Sequence, residues 1–147
     1  MKSLRDFTRW ARTQPWDGKS LRTYHHPLGR TEVLFCESPW QVELVTVAPN
    51  TIIPEHAHLH TDSWEIFLAG KGIARIGHRV TQRDDAFDPP FTVFGFVPHS
   101  AWHSGEALEK GGLWLSAQYW LNGKPTSLSE DWIYRDASIS YSSTPSD

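Results

Sequence analysis

Short apolar runs broken by Pro and Gly dominate this chain. The breakers Pro15, Gly18, Pro27, Gly29, Pro39, Pro49, Pro54, Gly70, Gly72 and Gly77 separate segments rich in Val, Ile, Phe, Trp and Thr. That punctuation predicts an all-β sandwich or barrel of short strands. Strands are expected over 31–36, 40–47, 64–69, 73–78, 91–97 and 113–121. Trp40-Gln-Val-Glu-Leu alternates apolar with polar, as a half-buried strand should. Gly70-Lys-Gly72 reads as a flexible joint between two strands. One segment has a different period. Leu4, Phe7, Trp10 and Ala11 recur at helical spacing, which predicts a short helix over 4–12 on the outside of the domain.

Residues 1–137 read as one domain, a size that a chain of 147 residues allows. Leu128, Trp132, Ile133 and Tyr134 give its last part apolar surface with which to dock. From 138 to 147 Ser, Thr, Pro and Asp dominate, so a flexible tail is expected there.

Residues 54–65 carry the candidate chemistry: Pro-Glu-His-Ala-His-Leu-His-Thr-Asp-Ser-Trp-Glu. His56, His58 and His60 alternate, and alternate residues of a strand face the same way. Glu65 follows, and Pro98-His-Ser-Ala-Trp-His103 supplies a distant histidine. Imidazoles with one carboxylate form a mixed N/O set suited to Fe(II), Mn, Ni, Cu or Zn. Asp62 and Glu55 are nearby acids able to orient a ligating imidazole, although solvation is the ordinary fate of loop acids. His99 is read as exposed.

At these residues the sequence resembles the cupin superfamily, whose motifs read G-x5-H-x-H-x3,4-E-x6-G and G-x5-P-x-G-x2-H-x3-N. His58-x-His60-x4-Glu65-x6-Gly72 follows the downstream part of the first. Pro98-x-Ser100-x2-His103 follows the centre of the second, with Ser100 in the place of Gly. Asn50 lies six residues before His56, where the family has Gly, and Asn tolerates the left-handed backbone that such a turn needs. The upstream register thus nominates His56 and His58; the downstream register nominates His58 and His60. A two-residue insertion reconciles them. The His-to-Glu spacing favours His58, His60, Glu65 and His103 as ligands, with His56 as the alternate. The resemblance implies a double-stranded β-helix, a jelly-roll barrel, around one divalent transition metal. Glu65 would also serve as a catalytic base.

Composition narrows the function classes. A net charge of -3 without a Lys/Arg block gives no reason to expect nucleic acid. No apolar run reaches membrane-spanning length and no secretory h-region opens the chain, so a cytoplasmic protein is expected. The single cysteine, Cys36, lies in an apolar run and reads as an inert, buried thiol. Over 113–121, Trp114, Ser116, Gln118 and Trp120 share one face, a mixture of aromatic and hydrogen-bonding groups that suits a small-molecule pocket or an outer face. Gln118, Arg75 and Trp102 are the candidate substrate contacts. Arg75 and Arg79 read as one strand face, solvent-facing by default. The resemblance implies metal-dependent oxygenation of a small organic molecule, with Fe(II) the favoured metal, and a homodimer. A redox-neutral isomerase or lyase and a small-molecule sensor are the alternatives.

Overall fold

The computed structural model describes residues 20–86, 88, 92–140 and 144–146. The helix expected over 4–12 lies outside them. The strands are β1 Arg22–His26, β2 Gly29–Glu37, β3 Trp40–Val47, β4 Thr51–His58, β5 Thr61–Ile76, β6 Arg79–Asp84, β7 Thr92–Val97, β8 His103–Trp120, β9 Trp132–Tyr134 and β10 Thr144–Ser146. A 3-10 turn, Leu128–Asp131, precedes β9. No helix among the described residues is long and apolar enough to cross a membrane.

Two long strands organise the molecule. β5 and β8 pair antiparallel over their whole length, Thr61 opposite Trp120 at one end and Ile76 opposite His103 at the other. On the free edge of β8, β4 takes the first part and β3 the second. On the free edge of β5, β7 takes the first part and β6 the second. The sheet therefore folds into two leaves that share both strands. One leaf runs β6-β5-β8-β4-β9; the other runs β7-β5-β8-β3-β2-β1-β10. All these pairings are antiparallel, as in a jelly roll.

The fold-over is written in glycine. Gly70 and Gly111 have φ of 97° and 70°, and a Cβ on Gly70 would sit 2.2 Å from the Gly111 carbonyl oxygen. The β5–β8 register slips at this point, between Gly70 and Gly72. Strands that pass from one leaf to the other need such an irregularity. Gly70-Lys-Gly72 is thus a bend inside a 16-residue strand, where the sequence predicted a joint between two. The hairpin turn falls later, at Gly77-His78, so Arg75 and Arg79 lie on different strands and not on one face.

Inside, Val47, Phe67, Ala74, Phe94, Ala107 and Trp114 form the main core. Phe67 stacks on Trp114 with ring centroids 4.4 Å apart and an interplanar angle of 18°. Truncating a buried aromatic of this kind costs about 3–5 kcal/mol. Cys36 is half-buried, and burial pushes its thiol pKa up, which keeps it protonated and unreactive. At the far end of the chain, where the composition suggested a flexible tail, β10 pairs with β1, Pro145 opposite Tyr24.

Candidate metal centre

Pro54 explains how two histidines reach one cavity. It lies within β4, and proline in a sheet is confined to edges and bulges because it lacks an N–H. The β4–β8 register slips here: Ile53 faces Gly105, but His56, three residues on, faces His103, two residues back. The extra residue lets Ile53 and His56, an odd distance apart, line the same cavity. His58 follows by ordinary alternation.

Among the described residues, His56, His58 and His103 bring one ring nitrogen each to within 4.8 Å of one another. His56 and His58 are buried, and His103 is half-buried. The Pro54 carbonyl accepts a hydrogen bond from His56 Nδ1 at 2.7 Å, and the Ala101 carbonyl accepts one from His103 Nδ1 at 2.9 Å. A carbonyl only accepts, so each Nδ1 carries the proton and each Nε2 keeps a free lone pair. Neither ring nitrogen of His58 has a hydrogen-bond partner. A buried polar group left in this condition costs about 1–3 kcal/mol, which a bound ion would offset.

The electrostatics agree. Burial, then the neighbouring His103 and His58, holds the His56 pKa well below its ordinary value. Burial, then His103, does the same to His58. Burial lowers His103, against its bond to Ala101. Three neutral imidazoles at pH 7 are three available donors, a set that suits Zn, Cu, Fe or Ni. The residues fit a divalent transition metal.

Glu65 lines the same cavity but stands outside the three-histidine cluster. Its Oε1 accepts a hydrogen bond from Ser116 Oγ at 2.7 Å. Burial raises its pKa, and hydroxyls of Ser63 and Ser116 partly oppose the rise. The remaining wall is mostly apolar, including Val45, Ile53, Phe94, Val97 and Trp114, around about 80 Å³. Such a space suits a small molecule or part of one.

His60 does not join the cluster. β4 ends at His58, and the bend at Leu59-His60 turns the next side chain away. His60 Nδ1 is 2.9 Å from Asp131 Oδ1, and Asp131 also accepts from the His60 backbone N–H and from Thr61 Oγ1. The two extra residues between the family's histidines and its glutamate fall in this bend. The upstream register, with His56, thus describes the geometry. Asn50 and Ser100, which stand where glycine is usual, have φ of 53° and 64°. Both replacements keep the left-handed turn.

The three candidate substrate contacts lie elsewhere. Arg75 is exposed because its neighbours Ala74 and Ile76 face inward; it lies 4.0 Å from Glu106. Trp102 lines an outer groove with Arg75, and the Arg135 guanidinium covers its ring. Gln118 is fully buried, behind the cavity wall. Asp62 and Glu55 pair with His99 and Arg135 respectively, not with the clustered histidines. His99 is exposed, as expected. The sequence reading missed Trp132, which stacks on His56 and lines the cavity. Its only signal was the apolar run that contains it.

No family model matches the chain, and no curated protein matches it. Solved structures do. KdgF from Halomonas sp. is 15% identical over 67% of this chain and 83% of its own, with a TM-score of 0.56. Rru_A2000 from Rhodospirillum rubrum, described as a cupin-2 domain, is 20% identical over 61% of this chain and 58% of its own, at a TM-score of 0.51. An RmlC-like cupin from Shewanella frigidimarina is 13% identical over 61% of this chain and 74% of its own, at 0.50. At such identities the likeness is one of fold.

Proposed function

The chain has the cupin fold, and on that scaffold we propose that His56, His58 and His103 hold one divalent transition metal in a cavity that admits a small, largely apolar organic molecule. The observation that carries this reading is the convergence of three buried or half-buried histidines, two of them with Nδ1 pinned by a carbonyl. Three protein ligands leave coordination positions open, the condition that separates a catalytic site from a structural one. Such an ion, when bound, supplies Lewis acidity and, if it is iron, one-electron chemistry toward O2. The apolar and aromatic wall orients the substrate and excludes water. Glu65 accepts or gives a proton from the cavity side.

The first reading of the reaction is oxygenation, supported by an open, nitrogen-rich centre in an aromatic-lined cavity and by analogy with the fold. Purified protein loaded with Fe(II) should consume O2 with its substrate, and His103→Ala should abolish the uptake. A second reading is redox-neutral isomerisation or elimination. The placement of Glu65 favours it: a carboxyl apart from the three histidines, with a raised pKa, is suited to proton transfer. Turnover at the same rate without O2 rules out oxygenation and selects this reading. Ligand binding without product in either atmosphere, across metals, would leave a sensor.

A further inference from the structure

The barrel carries a second apolar face, on its outside. Trp114 of β8 points into the cavity, so Leu115 and Ala117 point outward by alternation. Ala117 lies opposite Val42 on one side and opposite Trp64 on the other, and Val42 in turn lies opposite Phe35. Trp64 packs against Phe96 of β7 with ring centroids 5.4 Å apart. One apolar stripe therefore crosses β2, β3, β8, β5 and β7, a width of about 19 Å at ordinary strand spacing. Val42 and Ala117 are fully buried beneath the half-buried Phe35, Trp64 and Leu115. The ten strands all belong to the two leaves around the cavity, so no described strand lies over this stripe. The Trp64 indole N–H is shielded, yet it has no hydrogen-bond partner among the described residues. A buried indole N–H ordinarily finds an acceptor. An apolar stripe this wide on the outside of a sheet marks an interaction surface.

We infer that this face is the docking site of the chain's own residues 4–12. Leu4, Phe7, Trp10 and Ala11 give that segment one apolar side at helical spacing, and Arg5, Arg9 and Arg12 give it a charged one. A helix so short is marginal in water by itself and needs a surface to order it. It would be about 14 Å long, within the width of the stripe. The chain arrives from the right side. Leu21 N–H donates to the Val33 carbonyl at 2.7 Å, and Arg22 faces Val33 across the antiparallel β1–β2 pair. Followed backwards from Leu21, the chain therefore heads toward Phe35, where the stripe begins. From Arg12 to Ser20 it can span up to about 28 Å when extended, enough to reach across all of the strands concerned. Pro15 and Gly18 in this link end the helical pattern before β1. A segment tethered in this way meets the face at an effective concentration that is roughly millimolar, an advantage no second copy has. The unpaired carbonyls at the end of such a helix are acceptors of the kind Trp64 lacks. This inference is independent of metal binding and of the proposed reaction.

Hydrogen exchange and photo-cross-linking of the full chain test it. The amides of residues 4–12 should exchange more slowly than in a free peptide of the same sequence. Trp10→Asp should lose that protection, and Arg9→Asp, on the charged side, should keep it. The amides of β5 and β8 report in the same experiment whether each variant has kept its fold. With Phe7→p-benzoylphenylalanine, irradiation should join position 7 to Phe35, Trp64, Leu115 or their immediate neighbours within one chain. If Trp10→Asp does not fold, the cross-link carries the test. Unprotected amides in the parent, protection that survives Trp10→Asp, or a cross-link to the other leaf would each overturn the inference. So would a cross-link between two chains, which would assign the face to a second copy.

Discussion

Trp132 stacks on His56 with ring centroids 3.8 Å apart and an interplanar angle of 29°. The same imidazole is held at its edge by the Pro54 carbonyl. Face and edge contacts together leave the ring one orientation, with Nε2 toward His58 and His103. Groups that orient a ligand typically contribute ten- to a hundredfold in metal affinity. Trp132→Ala should therefore still bind one metal per chain, with affinity lower by about tenfold or more. Competition with a chelator of known affinity measures this. Unchanged affinity would show that Pro54 alone sets the ring.

The ligand set itself is open to substitution. His56→Ala, His58→Ala or His103→Ala should each empty the site, whereas His60→Ala should leave about one metal per chain, because His60 faces Asp131. Elemental analysis after dialysis reads the outcome. A full site in His56→Ala with an empty one in His60→Ala would reverse the assignment.

Asp131 should matter for stability and not for metal. It is 4% exposed and ties the Leu59-His60 bend to the turn before β9 through His60 and Thr61, whose hydroxyl is fully buried. Removing the carboxylate leaves those donors unpaired, at a cost of about 2–3 kcal/mol. Asp131→Ala should show that loss in urea unfolding, with its metal content intact.

The metal-free protein should weaken in mild acid. The His56, His58 and His103 pKa values are lowered by burial, whereas unfolded histidines titrate near pH ~6.5. Below that value the unfolded chain takes up protons that the folded chain refuses. The stability present above the unfolded value is thus lost as pH falls, by up to about 1.4 kcal/mol per histidine per pH unit. Glu65 acts in the opposite sense: its raised pKa favours the fold at low pH, and that contribution is lost as pH rises through its folded value. Three histidines outweigh one glutamate, so denaturation midpoints should fall between about pH 7 and pH 5. A flat or rising profile would contradict the buried, neutral cluster.

Ser100 offers a stabilising change. It occupies φ 64°, and its N–H donates to the His58 carbonyl at 2.8 Å, tying the turn before β8 to a ligand-bearing strand. An L side chain in that region costs about 1–2 kcal/mol. Glycine relieves this but adds unfolded-state entropy of about 0.4–1 kcal/mol. Ser100→Gly should raise the melting temperature slightly. A lower one would mean that the serine side chain has a role of its own.

The sequence made some of this legible and hid the rest for physical reasons. Alternation placed His56 and His58 on one face, and Asn50 and Ser100 stood where left-handed turns were needed. Alternation also extended in letters to His60, but the strand stops two residues earlier. What stops it is Asp131, 71 residues along the chain, and a contact at that separation leaves no local trace. Gly70-Lys-Gly72 was misread for a related reason: a glycine pair marks a bend, but only the facing Gly111 shows that the strand continues through it. Gln118, read as a candidate substrate contact, shares its face of β8 with Ser116 and Trp120 but is fully buried and does not line the cavity. Its neighbours Glu43 and Gln41 come from β3, so its role as a buried hub was invisible.

Because β5 and β8 belong to both leaves, neither leaf can peel away without rupturing the same ladder. Their amides should exchange with solvent only when the whole molecule unfolds, and at one common rate across both leaves. The three-residue strands β9 and β10, each at an end of the sheet, have no such anchorage and should exchange by fraying. Since Trp132 lies on β9, the loosest rim of the barrel is also the one that touches His56.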